Sequence, residues 1–244
     1  MTMMLTLTIS LYFINPTANS IGTPVNKHPV AAVLFDLDGT LLDSAPDLGF
    51  ALNQVCRENG LPEIPAEIYT PVASHGSRGL LGLTRLDENA LLALKPRFLE
   101  IYRNNLALHS QLFEGIEMLL SSLRRNQIKI GIVTNKPEFL THPLIAQFEA
   151  LQSISVVVCG DTLEVAKPSP KPLYYAAEQL AVDPKDCVYI GDAERDIVAG
   201  RNAGMVTVLA EYGYIASTDQ PQQWLADYTI AHPNALIELL ALPK

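Results

Sequence analysis

Val30-Ala31-Ala32-Val33-Leu34-Phe35-Asp36-Leu37-Asp38-Gly39-Thr40 opens with a six-residue apolar run and ends on two carboxylates and a glycine. A short apolar, partly β-branched run closed by turn residues is the pattern of a strand buried on both faces. Carboxylates two residues apart at the end of such a strand can point the same way, and Gly39 permits the sharp turn that follows. A lone Asp-x-Asp would read as an ordinary acidic turn. The rest of the chain decides whether it is more.

Further runs of the same kind recur at Ile128 to Val133, Ile154 to Cys159, Cys187 to Ile190 and Val206 to Leu209. Between them lie stretches with one apolar face at helical spacing, such as Ile116, Leu119, Leu120 and Leu123, or Leu173, Ala176, Ala177 and Leu180. Strands alternating with amphipathic helices predict an α/β fold, a doubly wound parallel sheet, with ligands outside the carboxyl ends of its strands. The first two strands are separated by about ninety residues, far more than one crossover helix needs. The insertion reads as helical. Leu48, Ala51, Leu52, Val55 and Cys56 share a face after Ser44 and Pro46, and a second helical region begins near Asp87, where Pro96 is expected to kink or split it. The expected organisation is a core domain over residues 30–45 and 111–244 with a small helical cap domain over residues 46–110.

Four strand ends carry polar residues. Beyond Asp36 and Asp38, the second strand runs into Thr134-Asn135-Lys136, the third is followed by Lys167-Pro168, and the fourth runs into Gly191-Asp192-Ala193-Glu194-Arg195-Asp196. Taken singly, Thr134 is as good a helix cap, Lys167 a solvated loop charge and Asp192 an N-cap. A parallel sheet brings all four ends into one crevice, where carboxylates, a hydroxyl and an ammonium form the kind of set that phosphoryl transfer uses.

Carried on Asp36-x-Asp38-Gly39-Thr40, Thr134, Lys167 and Gly191-Asp192-x-x-x-Asp196, the chain from Val30 onward resembles the haloacid dehalogenase superfamily. The resemblance implies that Asp36 attacks phosphorus to form an aspartyl phosphate, while Asp38 protonates the leaving oxygen and then activates water. It implies Mg²⁺ held by Asp36, the backbone carbonyl of Asp38 and Asp192 with support from Asp196, and phosphoryl oxygens held by Thr134, Asn135 and Lys167. Physical chemistry fits those roles: a carboxylate attacks a phosphate dianion only if a cation offsets their repulsion, and Asp38 is expected to be kept protonated by acidic neighbours and partial burial. Dehalogenating members lack an aspartate at the position of Asp38, so the resemblance implies a phosphatase. A helical cap between the first two motifs is similar to the group acting on 2-phosphoglycolate or N-acetylmuramic acid 6-phosphate, both of which pair phosphate with carboxylate. In that group the stretch Ala73 to Gly79 looks like a cap loop that enters the site; by itself it reads equally well as a glycine-containing turn. Arg78 is its candidate partner for a substrate carboxylate, and Tyr212, Tyr214 and Trp224 are candidate aromatic surface for a sugar, with buried packing the commoner fate. A phosphomutase on the same core and a silent binding protein are the alternatives.

Composition narrows the partners. With 17 Lys plus Arg against 26 Asp plus Glu, a formal charge of −9 speaks against nucleic acid and anionic membrane as ligands, leaving a small phosphorylated metabolite. The 3 cysteines, Cys56, Cys159 and Cys187, form no CxxC pair, which predicts buried thiols and a cytoplasmic setting. The oligomeric state, monomer or dimer, is left open. Residues 1–29 read as an N-terminal extension without structure; its apolar stretch Met3 to Ile14 is too short to span a bilayer and lacks the preceding positive charge of an export signal.

Overall fold

The computed structural model describes residues 30–242. The expectations for residues 1–29 lie outside the described residues. Strand β1 (Ala32–Phe35) is central, with every residue fully buried. It pairs in parallel with β4 (Lys129–Val133) on one side and β6 (Cys187–Gly191) on the other. Outward lie β5 (Val156–Val158) beside β4, then β7 (Val206–Ala210) and β8 (Tyr228–Ile230) beyond β6. The result is the expected doubly wound parallel sheet, with β8 an addition to the five strands read from sequence.

Side chains alternate across β1. Val33 and Phe35 join the cluster that seats α5 (Ile116–Arg125) and α10 (Ala235–Leu239), while Ala32 and Leu34 join the one that seats α8 (Lys171–Gln179) and α9 (Glu194–Asn202). Both faces are thus covered, and the apolar run of β1 has no solvent side.

Between β1 and β4 the chain forms α1 (Ala45–Glu58), α2 (Ala66–Tyr69), a 3₁₀ turn over Thr70–His75, α3 (Gly76–Gly82) and α4 (Glu88–Asn104). These helices pack around Leu52, Val55, Leu80, Leu81, Phe98 and Tyr102, a cluster that also takes in Leu140 and Tyr214 from the sheet side. Helix α4 runs through Pro96 without the expected split. Pro96 and Leu92, whose carbonyl loses its hydrogen-bond donor, are both exposed, so water can take the freed carbonyl.

Two devices join the chain where it leaves and re-enters the core. Strands β2 (Leu42–Asp43) and β3 (Gln111–Leu112) pair antiparallel. Beside them the buried carboxylate of Asp47, in the first turn of α1, accepts hydrogen bonds from the backbone N–H of His109 at 2.8 Å, the N–H of Ser110 at 3.0 Å and the Ser110 hydroxyl at 2.5 Å.

Candidate active site

Residue 36 is the first beyond β1, and its N–H still donates to Ile190 O at 2.8 Å, so the strand ladder itself fixes the position of Asp36. Thr134 follows β4 in the same way, its N–H donating to Val158 O at 2.9 Å. Register places Phe35 beside both Ile132 and Ile190, which sets Asp36, Thr134 and Asp192 around one point at the carboxyl edge. Gly39, at φ +81°, lets the turn after β1 press onto Asp192: a Cβ there would stand 2.0 Å from Asp192 Oδ2.

Lys167 is the hub. Its ammonium lies 3.0 Å from Asp36 Oδ1 and 2.7 Å from Asp196 Oδ1, and it donates to Val133 O at 2.8 Å and to the Tyr189 hydroxyl at 2.7 Å. The Asn135 side chain clasps its backbone, accepting from Lys167 N–H at 3.0 Å and donating to Lys167 O at 2.9 Å. One amide hydrogen of Asn135 is left for a ligand. A solvated-loop reading of Lys167 is excluded by a residue exposure of 4%.

Asp36, Asp192 and Asp196 bring one carboxylate oxygen each to within 4.8 Å of one another, all buried. Burial, then the charges of Asp196 and Asp36, push the Asp192 carboxyl up to about 7. Burial likewise holds Asp36 above the ordinary range against the opposing pull of Lys167. On Asp196 burial is outweighed by Lys167 and Arg195, and its carboxyl stays below the usual range. Asp192 Oδ2 accepts from Tyr214 N–H at 2.8 Å and from the Ser74 hydroxyl at 2.5 Å, but buried Oδ1 has no hydrogen-bond partner. A buried carboxylate oxygen without a donor, inside a cluster of hard oxygen ligands, fits a divalent cation such as Mg²⁺.

Asp38 stands apart from that cluster. The groups touching its carboxyl are a cation and a hydroxyl, not the acids expected: Lys136 Nζ lies 2.9 Å from both oxygens, and Ser44 Oγ donates to Oδ1 at 2.5 Å. Lys136 also lies 4.7 Å from the ring centroid of Tyr102 on α4, so the same ammonium touches core acid and insert.

Asp36, Asp38, Thr134, Asn135, Lys136 and Arg195 line one cleft of about 510 Å³ between the sheet edge and the helical insert. Ala73 to Arg78 form part of its wall, so this stretch does enter the site. Arg78 sits at the rim with its side chain 80% exposed and pairs with Glu88 at 3.1 Å. The aromatic surface expected from Tyr212, Tyr214 and Trp224 is not offered. Tyr214 and Trp224 are buried, and the hydroxyls of Tyr212 and Tyr214 are bound to Thr40 O at 3.0 Å and Asp43 Oδ1 at 2.8 Å. Phe98, Tyr102 and Phe139 supply the aromatic wall instead.

Sequence reasoning passed over Lys136, Ser74, Ser44, Tyr189 and Arg195. Lys136 and Arg195 stand inside the polar strand ends and were open to notice there. Tyr189 occupies an interior strand position that pattern assigns to core, and only the fold shows its hydroxyl reaching Lys167, Val133 O and, at 3.2 Å, Asp196.

The profile of the family described as haloacid dehalogenase-like hydrolase matches residues 33–210. A phosphoglycolate phosphatase of Xanthomonas campestris pv. campestris is 46% identical over 215 residues, 87% of this chain and 97% of that protein. An N-acetylmuramic acid 6-phosphate phosphatase of Pseudomonas putida is 38% identical over 212 residues, 86% of this chain and 95% of that protein. Among solved structures, a predicted phosphoglycolate phosphatase from Haemophilus somnus superposes with a TM-score of 0.76 at 26% identity, covering 86% of this chain and 97% of that one.

Proposed function

The chain belongs to the haloacid dehalogenase-like hydrolase family, and from that premise we propose a Mg²⁺-dependent phosphatase that acts on a small phosphorylated metabolite through an aspartyl phosphate on Asp36. The observation that carries this reading is the pairing of buried Asp36 with Lys167 at 3.0 Å, in the cleft that also holds Asp38. Leu37 N–H, at 2.8 Å, and Lys167 engage Asp36 Oδ1, while Oδ2 has only Arg195, at 3.7 Å. Oδ2 is therefore the oxygen with a lone pair to spend on phosphorus.

Asp36, Asp192 and Asp196, with the backbone carbonyl of Asp38, would hold the cation, which supplies charge neutralisation for the incoming phosphate. Lys167 and one amide hydrogen of Asn135, with Thr134 beside them, would meet the phosphoryl oxygens. Asp38 would give a proton to the leaving oxygen and take one from water in the second displacement. Lys136 and Ser44 keep its carboxyl in one place meanwhile.

The names of the relatives support phosphoglycolate or N-acetylmuramic acid 6-phosphate as substrate, with helices of residues 46–110 acting as a cap. The test is covalent trapping. With p-nitrophenyl phosphate, Asp38→Asn should accumulate a hydroxylamine-labile phosphate on Asp36, since the leaving group departs without an acid while water lacks its base. A phosphoenzyme that still forms in Asp36→Asn would sink the assignment.

A further inference from the structure

Among the described residues, every lysine and arginine in or beside the cleft except the exposed Lys95 lies against a carboxylate. Lys167 serves Asp36 and Asp196, Arg195 lies near Asp36, Lys136 holds Asp38, and Arg78 pairs with Glu88. Lys95 lines the same cleft and, among the described residues, has no acidic partner within 4.0 Å. Its helix does not leave charges idle elsewhere: Arg97 is paired with Glu58 and Glu100, both at 2.8 Å, and Arg103 lies over Phe139 at 6.0 Å.

Lys95 belongs to a stripe. Positions 95, 98, 99 and 102 share one face of α4, and all four residues line the cleft. At the inner end is Tyr102, 1% exposed, its ring 4.7 Å from the ammonium that grips Asp38. Lys95 lies seven residues, hence about 10 Å of helix, further from the chemistry. Between them Phe98 and Leu99 give an apolar wall, faced by Phe139 of α6 (Glu138–Ile145), which stays 43% exposed at the cleft. An aromatic ring left that open beside an apolar wall suits the flat face of a ring or chain. A cleft of about 510 Å³ also has room for on the order of seventeen water-sized groups, far beyond a two-carbon phosphate ester.

Building on the phosphatase reading, we infer that Lys95 is a specificity residue for a second anionic group, at the end of the cleft away from the phosphate, on a substrate whose ring or extended body lies along Phe98, Leu99 and Phe139. A two-carbon acid held at Asp36 is short beside the stretch of helix, about 10 Å, that separates Tyr102 from Lys95. The physiological substrate class is thus an extended anionic phosphomonoester.

A series of ω-phosphooxy carboxylic acids of increasing chain length, beginning at phosphoglycolate, reads this out as a ruler, with p-nitrophenyl phosphate as the control. The expected result is that kcat/KM climbs with length and peaks at a member well beyond phosphoglycolate. Lys95→Gln should lower kcat/KM by about five- to tenfold for those long members, mostly through KM, and leave p-nitrophenyl phosphate and phosphoglycolate within about twofold. Lys95→Arg should keep most of the preference. Turnover highest on phosphoglycolate, or an equal loss on every member in Lys95→Gln, overturns the inference. Failure of the unaltered protein to hydrolyse p-nitrophenyl phosphate would instead remove the phosphatase reading beneath it.

Discussion

The two walls of the cleft handle polar groups in opposite ways. On the sheet edge, charges are buried and held by one another, apart from one Asp192 oxygen left open: Lys167 alone makes four contacts, two to carboxylates, one to a carbonyl and one to a hydroxyl. On the helical wall, among the described residues, Lys95 has no ion-pair partner and Arg78 is held only by an exposed acid. Buried charge has to be preorganised to be tolerated at all, whereas recognition groups must stay unspent until a ligand arrives. The reacting centre is thus largely assembled before substrate binds, with one carboxylate oxygen left for a cation, whereas the insert keeps its groups for the ligand.

The hardest blow to this contrast falls on the edge. Asp36→Asn should lower kcat by at least about a thousandfold while the fold persists, as measured by phosphate release and circular dichroism, because no other carboxylate can take its place. Residual turnover near the original rate would mean that the paired set is structural.

Next comes the joint between the walls. Lys136→Met should cost about 2–4 kcal/mol in denaturant unfolding, since it strands the largely buried Asp38 carboxylate. Adding Asp38→Asn should recover most of that loss. Additive losses in the double variant would show that the ion pair is not what Lys136 contributes.

A subtler test uses acidity. Asp192 is raised to about 7 by burial and neighbouring acids, so the metal-free native state holds a proton there that the unfolded chain has released above about pH 4. The native state binds more protons, so this group's contribution to stability falls as pH rises from about 4 to about 7 and is then flat. Mg²⁺ competes with that proton. The rise in Tm on adding Mg²⁺ should therefore be larger at pH 8 than at pH 6, by scanning fluorimetry. A rise that shrinks with pH would place the ion elsewhere.

The smallest effect belongs to Arg78. With its side chain 80% exposed and already paired to Glu88, Arg78→Ala should change kcat/KM by less than about threefold on any substrate. A hundredfold loss confined to carboxylated substrates would move the recognition centre from Lys95 to Arg78.

Legibility followed the same division. β1, β4 and β6 are buried on both faces and so leave apolar runs that sequence exposes, and polar residues just past those runs are the chemistry. β8 escaped because Tyr228-Thr229-Ile230 breaks its apolar residues with an exposed threonine, whereas the equally short edge strand β5 lies in the unbroken run Val156-Val157-Val158. The insert was readable as helices, but not the use of each helix face. Nothing in Lys95 or Tyr102 distinguishes a cleft-facing residue from a solvated or core one until α4 is docked. Tyr214 and Trp224 took the commoner of the two fates read for them, since an aromatic side chain packs or presents itself according to neighbours that the chain order does not reveal.

The Asp47 clasp bears on how such a protein could be rebuilt. It ties the departing and returning segments together from inside the insert's first helical turn, while β2 and β3 tie them from the core side. A graft from a relative that is cut after Asp43 and before Gln111 carries both the acceptor at 47 and its donors at 109 and 110, and so brings its own fastening. Cutting further in, between 47 and 109, asks two ancestries to share three hydrogen bonds, and cutting between them on one side only leaves a buried carboxylate with nothing to hold. Recombination that trades substrate preference while sparing the chemistry has its natural seam at that outer pair of positions.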